Sequence, residues 1–326
     1  MPFTKQLMAR VRAMEHHSRG PAEPSTERPF ISFITVSYNS FNSIEATISS
    51  VASCKSLFAC EYIVIDGNSN DGTDRILDQH AQMIDVLVRE ADHGIYDAMN
   101  KGLRLARGEY VCFVNADDRI IPKGASKIAE KLHGSHRNVD ILASAALAIK
   151  GKTETLWLPS GLDRFLVFRC PNLCHNGVYA HRSIFQKVGE FDSSLQIAAD
   201  SDWIIRAVKG GARVKVVSIP TVLYSIGGMS SDIRSHANEM LLIAERTYPL
   251  LRSEVIRSLF FHLFAWHERR SLFIERPPLP LASALQEANA FYPELSYRGY
   301  LLQRLHRRLA VKAFGRLKNS VRRRDQ

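Results

Sequence analysis

The sequence is short of several things that would decide its class at once. No window of the 326 residues reaches 18 apolar positions in a row, so no membrane-spanning helix is expected. The opening "MPFTKQLMARVRAMEHHSRG" has no continuous apolar stretch of the kind a secretory signal needs. No Gly-x-Gly-x-x-Gly follows the first strand-like run, which argues against a nicotinamide enzyme, and the turn-rich "GNSNDGT" at 67–73 lacks the Gly-Lys-Ser/Thr ending of a Walker phosphate loop. There is no internal repeat and no low-complexity tract. Cysteine is scarce: the five are Cys54, Cys60, Cys112, Cys170 and Cys174. Cys170 and Cys174 do not have the spacing of a zinc knuckle, and all five read as structural thiols in a reducing compartment.

What is present is ordinary in bulk and uneven in detail. Apolar residues make 45% and charged residues 23% of the chain, which is enough for a sizeable core in one large domain or two smaller ones. The net charge of +10 is concentrated at the end. From residue 296 onward, Arg298, Arg304, Arg307, Arg308, Lys312, Arg316, Lys318 and Arg322–Arg324 face a single acid, Asp325. Leu302, Leu305, Leu309, Ala313, Leu317 and Val321 fall on one face of a helix drawn through this tail. Three readings are open: a packed helix with a solvated basic face, attachment to an anionic membrane surface, and, less favoured, nucleic-acid binding.

Between residues 30 and 120 the pattern alternates. "FISFITVSYN" is an apolar run that ends in Ser37, Tyr38 and Asn39. A helical stretch follows, with Ile44, Ile48 and Val51 in phase and Asn42 or Ser43 as its cap. "EYIVIDG" is a second strand ending at Asp66, then "GNSNDGT" is dense in turn residues and "DRILDQHAQM" reads as a helix. Ile84 to Arg89 supplies a third strand, "IYDAMNKGLRLARG" a helix closed by Gly108, and "EYVCFVNADD" a fourth strand. Continuous apolar strands between helices imply a parallel sheet covered on both faces. In such sheets ligands sit at the carboxyl ends of the strands, where Ser37–Asn39, Asp66 and Asn115–Asp118 would converge.

The adjacent carboxylates of Asp117 and Asp118 repel one another unless a cation or a proton intervenes. A divalent ion with oxygen ligands does this, and Mg²⁺ or Mn²⁺ commonly shares its shell with phosphate oxygens. The bland alternative is an acid pair capping the next turn. Residues 139–230 are less regular, with β-rich pieces "DILASAALAI", "TETLWLP" and "RVKVVSIPTVLYSI" and a helix "DSDWIIRAVKGG". Residues 236–270 read as helical, and Pro277, Pro278 and Pro280 mark a break.

Four stretches together are specific: "VSYN" at 36–39, "IVIDGNSNDGT" at 63–73, "GIYDAMNKG" at 94–102 and "NADD" at 115–118. With "CHNGVYAHRSIFQKVGEFD" at 174–192, "AADSDWIIR" at 198–206 and "GGMS" at 227–230, the chain resembles the family 2 glycosyltransferases of bacterial exopolysaccharide, colanic-acid-type and O-chain biosynthesis. The resemblance covers roughly residues 30–230. It implies an α/β chain of GT-A fold: a Rossmann-like wound mixed sheet flanked by helices, with a helical C-terminal extension. The division expected is a flexible lead-in at 1–29, a GT-A domain at 30–235 and an extension with a basic amphipathic tail at 236–326. Within the domain, 30–120 would be the nucleotide-sugar half and 121–235 the acceptor half.

The resemblance also implies roles. Ser37, Tyr38 and Asn39 would line the nucleotide pocket, Asp66 would hold the base, and Asp97 would lie near the ribose or diphosphate. Asn115 stands where the family's Asp-x-Asp motif has its first acid; it can hydrogen-bond a ribose but brings no charge. Asp117 and Asp118 are the metal candidates, the cofactor being Mg²⁺ or Mn²⁺. Asp200 matches the general base, with Asp202 as competitor or helix cap. His175 and Arg206 go to the acceptor or diphosphate side; His93 and Tyr96 are weaker candidates, and Trp203 reads as core.

The activity implied is inverting transfer of a sugar from a nucleotide-diphosphate donor to a glycan or lipid-linked acceptor. The expected place is cytoplasmic, on the inner face of the cell membrane. The alternatives are a nucleotidyltransferase, which lacks its usual Gly-rich basic loop here, and a degenerate sugar-nucleotide-binding scaffold acting through the tail.

Overall fold

The computed structural model describes residues 28–151, 153–160, 162, 165–169, 171, 173–225, 232–263, 277–296, 298, 300 and 301. The N-terminal lead-in up to residue 27, Cys170, the "GGMS" stretch and the basic tail from residue 302 lie outside the described residues.

The alternation read from the sequence is the order found. Strand β1 (Ile31–Ser37) leads to helix α1 (Ile44–Ala52), β2 (Cys60–Asp66) to α2 (Thr73–Gln79), and β3 (Val86–Arg89) to α3 (Ile95–Leu105), followed by β4 (Tyr110–Phe113). β1 pairs in parallel with β2 and with β4, and β2 with β3, so the carboxyl ends of these strands share one edge. Every residue of β1 is buried, because the strand is covered twice. Ile31 and Phe33 join a core with Ile44, Ile48 and Leu77 on the α1–α2 face. Ile34 and Val36 join another with Met99 and Leu103 of α3 on the opposite face.

The second half closes the sheet with mixed pairing. Strand β5 (Arg119–Ile120), helix α4 (Pro122–His133), β6 (Ile141–Lys150), β7 (Thr153–Trp157), α5 (Leu166–Arg169), β8 (Val178–His181), α6 (Arg182–Val188), α7 (Ala199–Lys209) and β9 (Val214–Ser225) follow. Among the described residues nine strands run β3-β2-β1-β4-β8-β6-β9-β5, with β7 on β6. β8 is antiparallel to β4, so the turn before β8 sits beside the turn after β4. Helices α8 (Ile233–Thr247), α9 (Ser253–Leu263) and α10 (Leu281–Phe291) complete the described chain. Met240, Leu259 and Leu285 of these helices share the α3 and α7 core. α8 begins at Ile233, so residue 236, where the extension was expected to start, lies within a helix.

Three local expectations change. Ser43 occupies the position before α1, but its hydroxyl donates to the Ser40 carbonyl and caps no helical amide. The third strand starts at Val86, after the Asp85 carboxylate accepts the Tyr62 amide at 2.7 Å. α3 stops at Leu105, and Gly108 serves a different end. There Glu61, only 2% exposed, accepts from Ser32 Oγ (2.6 Å) and from the amides of Arg107 (2.6 Å) and Gly108 (3.1 Å), with Arg107 Nε at 2.9 Å. A Cβ on Gly108 would stand 2.6 Å from the Ser32 backbone nitrogen. Gly108→Ala is therefore expected to lower the unfolding free energy in urea by about 1–3 kcal/mol, the usual range for overpacking a tight site. A variant with an unchanged midpoint would mean that β1 and the 106–108 turn can part without cost.

The four described cysteines are free. Burial pushes the thiols of Cys54, Cys112 and Cys174 upward, and all three are packing groups.

Candidate active site

The loops that follow β1 and β2 are laced together. Asn39 takes a left-handed conformation (φ 51°), its amide donates to Ser69 Oγ at 2.8 Å, and its Oδ1 accepts the Asn70 amide at 3.0 Å. Asp66, buried at the end of β2, accepts from the amide (2.9 Å) and hydroxyl (2.6 Å) of Ser69. Asp71 holds the Phe41 amide at 3.0 Å and the Thr73 hydroxyl at 2.6 Å. The turn-rich "GNSNDGT" is thus a scaffold that binds the "VSYN" end, and Tyr38 stands out from it at 65% exposure. Gly67 has no room for a side chain: its Cβ would lie 2.4 Å from Asp92 Oδ2. Asp92, which the sequence did not single out, fills that space and accepts the Gly94 amide at 2.9 Å.

Asp97 opens α3. The His93 amide at 3.0 Å and the Lys101 ammonium at 3.3 Å hold its carboxyl below the usual range. Two other residues of "YDAMN" reach across to the second half of the chain. Asn100 exchanges two hydrogen bonds with the Phe191 backbone, at 2.9 and 3.0 Å. The Tyr96 hydroxyl donates to the Ile197 carbonyl at 2.7 Å and lies 3.4 Å from Asp200 Oδ1.

The "NADD" turn divides its two carboxylates. Asp118 is 1% exposed and has both oxygens engaged, one by the Ser225 amide at 2.7 Å and the other by the Asn176 side-chain amide. Burial pushes its carboxyl up to about 8, against the lowering by Ser225. Asp117 is exposed, and its backbone carbonyl takes the Ser225 hydroxyl at 2.8 Å. Asn176 also accepts the Asn115 amide at 3.2 Å, so it joins the turn after β4 to the turn before β8. Asn176 was missed from the sequence because its partners are some sixty residues away; its place beside His175 in "CHN" was the only cue.

His175 Nδ1 lies 4.0 Å from Asp200 Oδ2, and burial lowers the imidazole below its ordinary range despite that carboxylate. Asp200, on the first turn of α7, also accepts the Ser201 amide at 2.7 Å. Asp202 and Arg206 are occupied elsewhere. They pair at 2.7 Å, and the guanidinium donates to the carbonyls of Val188 and of Glu190 (2.8 Å), which pins α7 to the end of α6. Trp203 stacks on Phe185 with ring centres 4.3 Å apart and belongs to the core, as expected.

Ser37 Oγ, Asn115 Oδ1 and His175 Nε2 are buried with no hydrogen-bond partner among the described residues. Buried polar atoms are seldom left so without a ligand or water. All three lie along the edge formed by the ends of β1 and β4 and the start of β8. This is the edge at which an open α/β sheet binds its ligand. Among the described residues no cluster of three or more His, Cys, Asp or Glu could hold a metal alone. One free carboxylate beside unpaired oxygens fits a cation that takes the rest of its shell from phosphates and water.

The mixed sheet order, with helices on both faces, is that of the GT-A fold. Two solved structures share the fold: S. aureus TarS 1–349 in complex with UDP-GlcNAc (TM-score 0.57, 18% identity, 82% of each chain) and the Pyrobaculum calidifontis mannosyltransferase PcManGT in complex with GDP-Man and Mn²⁺ (TM-score 0.53, 17% identity, 95% of this chain and 88% of that one). Residues 32–187 match the family described as Glycosyl transferase family 2. A PGL/p-HBAD biosynthesis glycosyltransferase of Mycobacterium bovis is 30% identical over 179 residues, 53% of this chain and 68% of the relative. The chain belongs to the family 2 glycosyltransferases.

Proposed function

We propose that the protein is an inverting glycosyltransferase that moves a sugar from a nucleotide-diphosphate donor to a hydroxyl of a glycan or lipid-linked acceptor in cell-surface polysaccharide assembly. The observation that carries this reading is the Asn176 junction. It ties the turn bearing Asp117 to the turn bearing His175, which lies 4.0 Å from Asp200. An exposed acid for the diphosphate side and an acid for the acceptor side therefore border the same strand ends.

Each residue then has a task. Asp200 accepts the proton of the acceptor hydroxyl as its oxygen attacks the anomeric carbon. The bond from that carbon to the diphosphate oxygen breaks, and the nucleoside diphosphate leaves with the electron pair. One displacement inverts the configuration. Asp117 would hold a divalent cation, Mg²⁺ or Mn²⁺, which when bound would neutralise charge on the leaving diphosphate. Asn115 and Ser37 offer their unpaired oxygens to ribose hydroxyls, and Tyr38 stands as a platform for the base. Asp66 and Asn39 act through the loop they brace. Asp118 holds the turn, which leaves the metal to Asp117.

The relatives support a sugar-nucleotide donor: one solved structure holds UDP-GlcNAc, the other GDP-Man with Mn²⁺. No helix among the described residues is long and apolar enough to cross a membrane. The place we propose is the inner face of the cell membrane, where a basic tail would meet anionic lipid. The test is turnover of UDP-, GDP- and dTDP-sugars with Mn²⁺ and a lipid-linked acceptor, followed by NMR of the product. An anomeric configuration opposite to the donor's is expected. Retention would exclude the single displacement.

A further inference from the structure

We infer that Glu239, on the C-terminal helix α8, is a positioning residue for the base. This rests on the assignment of Asp200 given above. Glu239 lies outside the residues matched by the family, 32–187, and outside the segment of family resemblance at 30–230. Its carboxylate accepts three consecutive backbone amides: Gln196 at 2.8 Å, Ile197 at 3.0 Å and Ala198 at 2.8 Å. These are the last amides before α7, which carries Asp200 on its first turn.

The arrangement answers a local difficulty. The residue before α7 is Ala198, whose side chain can cap nothing. The start of a helix has unsatisfied amides and a partial positive charge, and a carboxylate is the natural group to meet both. Here Glu239, from another helix some forty residues on, meets the Ala198 amide at that start and the two amides before it. Hydrogen bonds to a charged acceptor are stronger than neutral ones, and three on one carboxylate fix the segment closely. From the other side the Tyr96 hydroxyl holds the Ile197 carbonyl at 2.7 Å. Arg246, also on α8, pairs with Asp192 at 2.9 Å, at the beginning of the same loop. The 192–198 loop is thus bonded to α8 at both ends and to α3 at Ile197. Glu239 touches no substrate in this scheme; it sets where Asp200 stands.

The experiment compares wild type, Glu239→Gln, Asp200→Asn and the double variant for kcat and donor KM, with amide hydrogen exchange on the first two. Gln places an N–H group against amides that need an acceptor. Glu239→Gln is expected to lower kcat about ten- to a hundred-fold, the scale of a base displaced by a fraction of an ångström to an ångström. Donor KM should stay within about twofold, because the loop belongs to the acceptor side. On the Asp200→Asn background the same change should add nothing. Faster exchange at Gln196, Ile197 and Ala198, with β1 unchanged, is the structural readout. If Glu239→Gln fails to fold, Glu239→Asp, which retracts the carboxylate by one methylene, takes its place with the same split expected.

An unchanged kcat, a loss confined to donor KM, or an equal further loss in the double variant would overturn the inference. So would unchanged exchange at 196–198. If wild type transfers no sugar at all, the assignment of Asp200 as base falls, and the exchange measurement alone decides whether Glu239 holds this loop.

Discussion

Asp200→Asn is expected to lower kcat by about a thousand-fold, within the range that positioned general bases supply. Donor affinity should be unchanged. Asn preserves the shape of the side chain and one oxygen for the Ser201 amide, now at 2.7 Å, and removes only the ability to take a proton. The nearby Asp202 cannot replace it, since Arg206 holds it at 2.7 Å and the same guanidinium is anchored to the Val188 and Glu190 carbonyls. His175 is the other basic group within reach, at 4.0 Å, but burial disfavours its cationic form. Initial rates at saturating acceptor, with calorimetric titration of the donor nucleotide, would check this. Activity within about threefold of wild type would place the proton elsewhere and refute the role given to Asp200.

Asp117→Ala is expected to weaken Mn²⁺-dependent binding of the matching nucleoside diphosphate by at least about a hundred-fold. Disturbing an outer partner of a metal site already costs about ten- to a hundred-fold, and a direct ligand should cost no less. The fold should tolerate the change, because Asp117 is exposed and its one hydrogen bond to Ser225 is made by the backbone carbonyl. Calorimetry on UDP, GDP and dTDP, with and without Mn²⁺, reads both the loss and the base preferred by wild type. If the metal strengthens no nucleotide in wild type, or if Asp117→Ala binds as wild type does, the cation role of Asp117 is wrong. Asp118→Ala is the informative contrast. It removes the partner of the Ser225 amide and of Asn176, and should be read first as a loss of stability.

The strands of the first half were legible because each is an apolar run that stops abruptly at polar residues, a pattern that both fixes the element and marks its functional end. "NADD" reads as a candidate site for the same reason. What the residues then do to one another was not. Asp66 reads as a ligand-binding acid at a strand end, yet in the structure both its oxygens serve Ser69. Asp117 and Asp118 look equivalent in the sequence and differ wholly in burial, because Ser225 and Asn176 arrive from far along the chain to claim one of them. Arg206 carries a charge suited to a diphosphate but is spent on two carbonyls. Glu239 sits in an unremarkable helical stretch, and nothing local connects it to amides forty residues earlier. Gly108 has the position of a helix terminator, while its cause lies in the backbone of Ser32. For Asp118, Arg206, Glu239 and Gly108 the missing information was a partner elsewhere along the chain, which periodicity and turn chemistry do not encode; for Asp66 it was a local turn whose hydrogen bonds the sequence leaves open.

The separation of Asp118 from Ser225, 107 residues, also bears on the birth of the protein. β1 to β4 are contiguous along the chain and pair chiefly with one another, so this portion can assemble while the ribosome is still at work. The pocket for Asp118 cannot, since one wall is the last residue of β9. At roughly 5–20 residues per second, that wall emerges about 5–20 s after the aspartate it must receive. During this interval the carboxylate can remain hydrated and ionised. The nascent chain thus exposes a carboxylate that the folded protein buries, and its burial waits on the synthesis of residue 225.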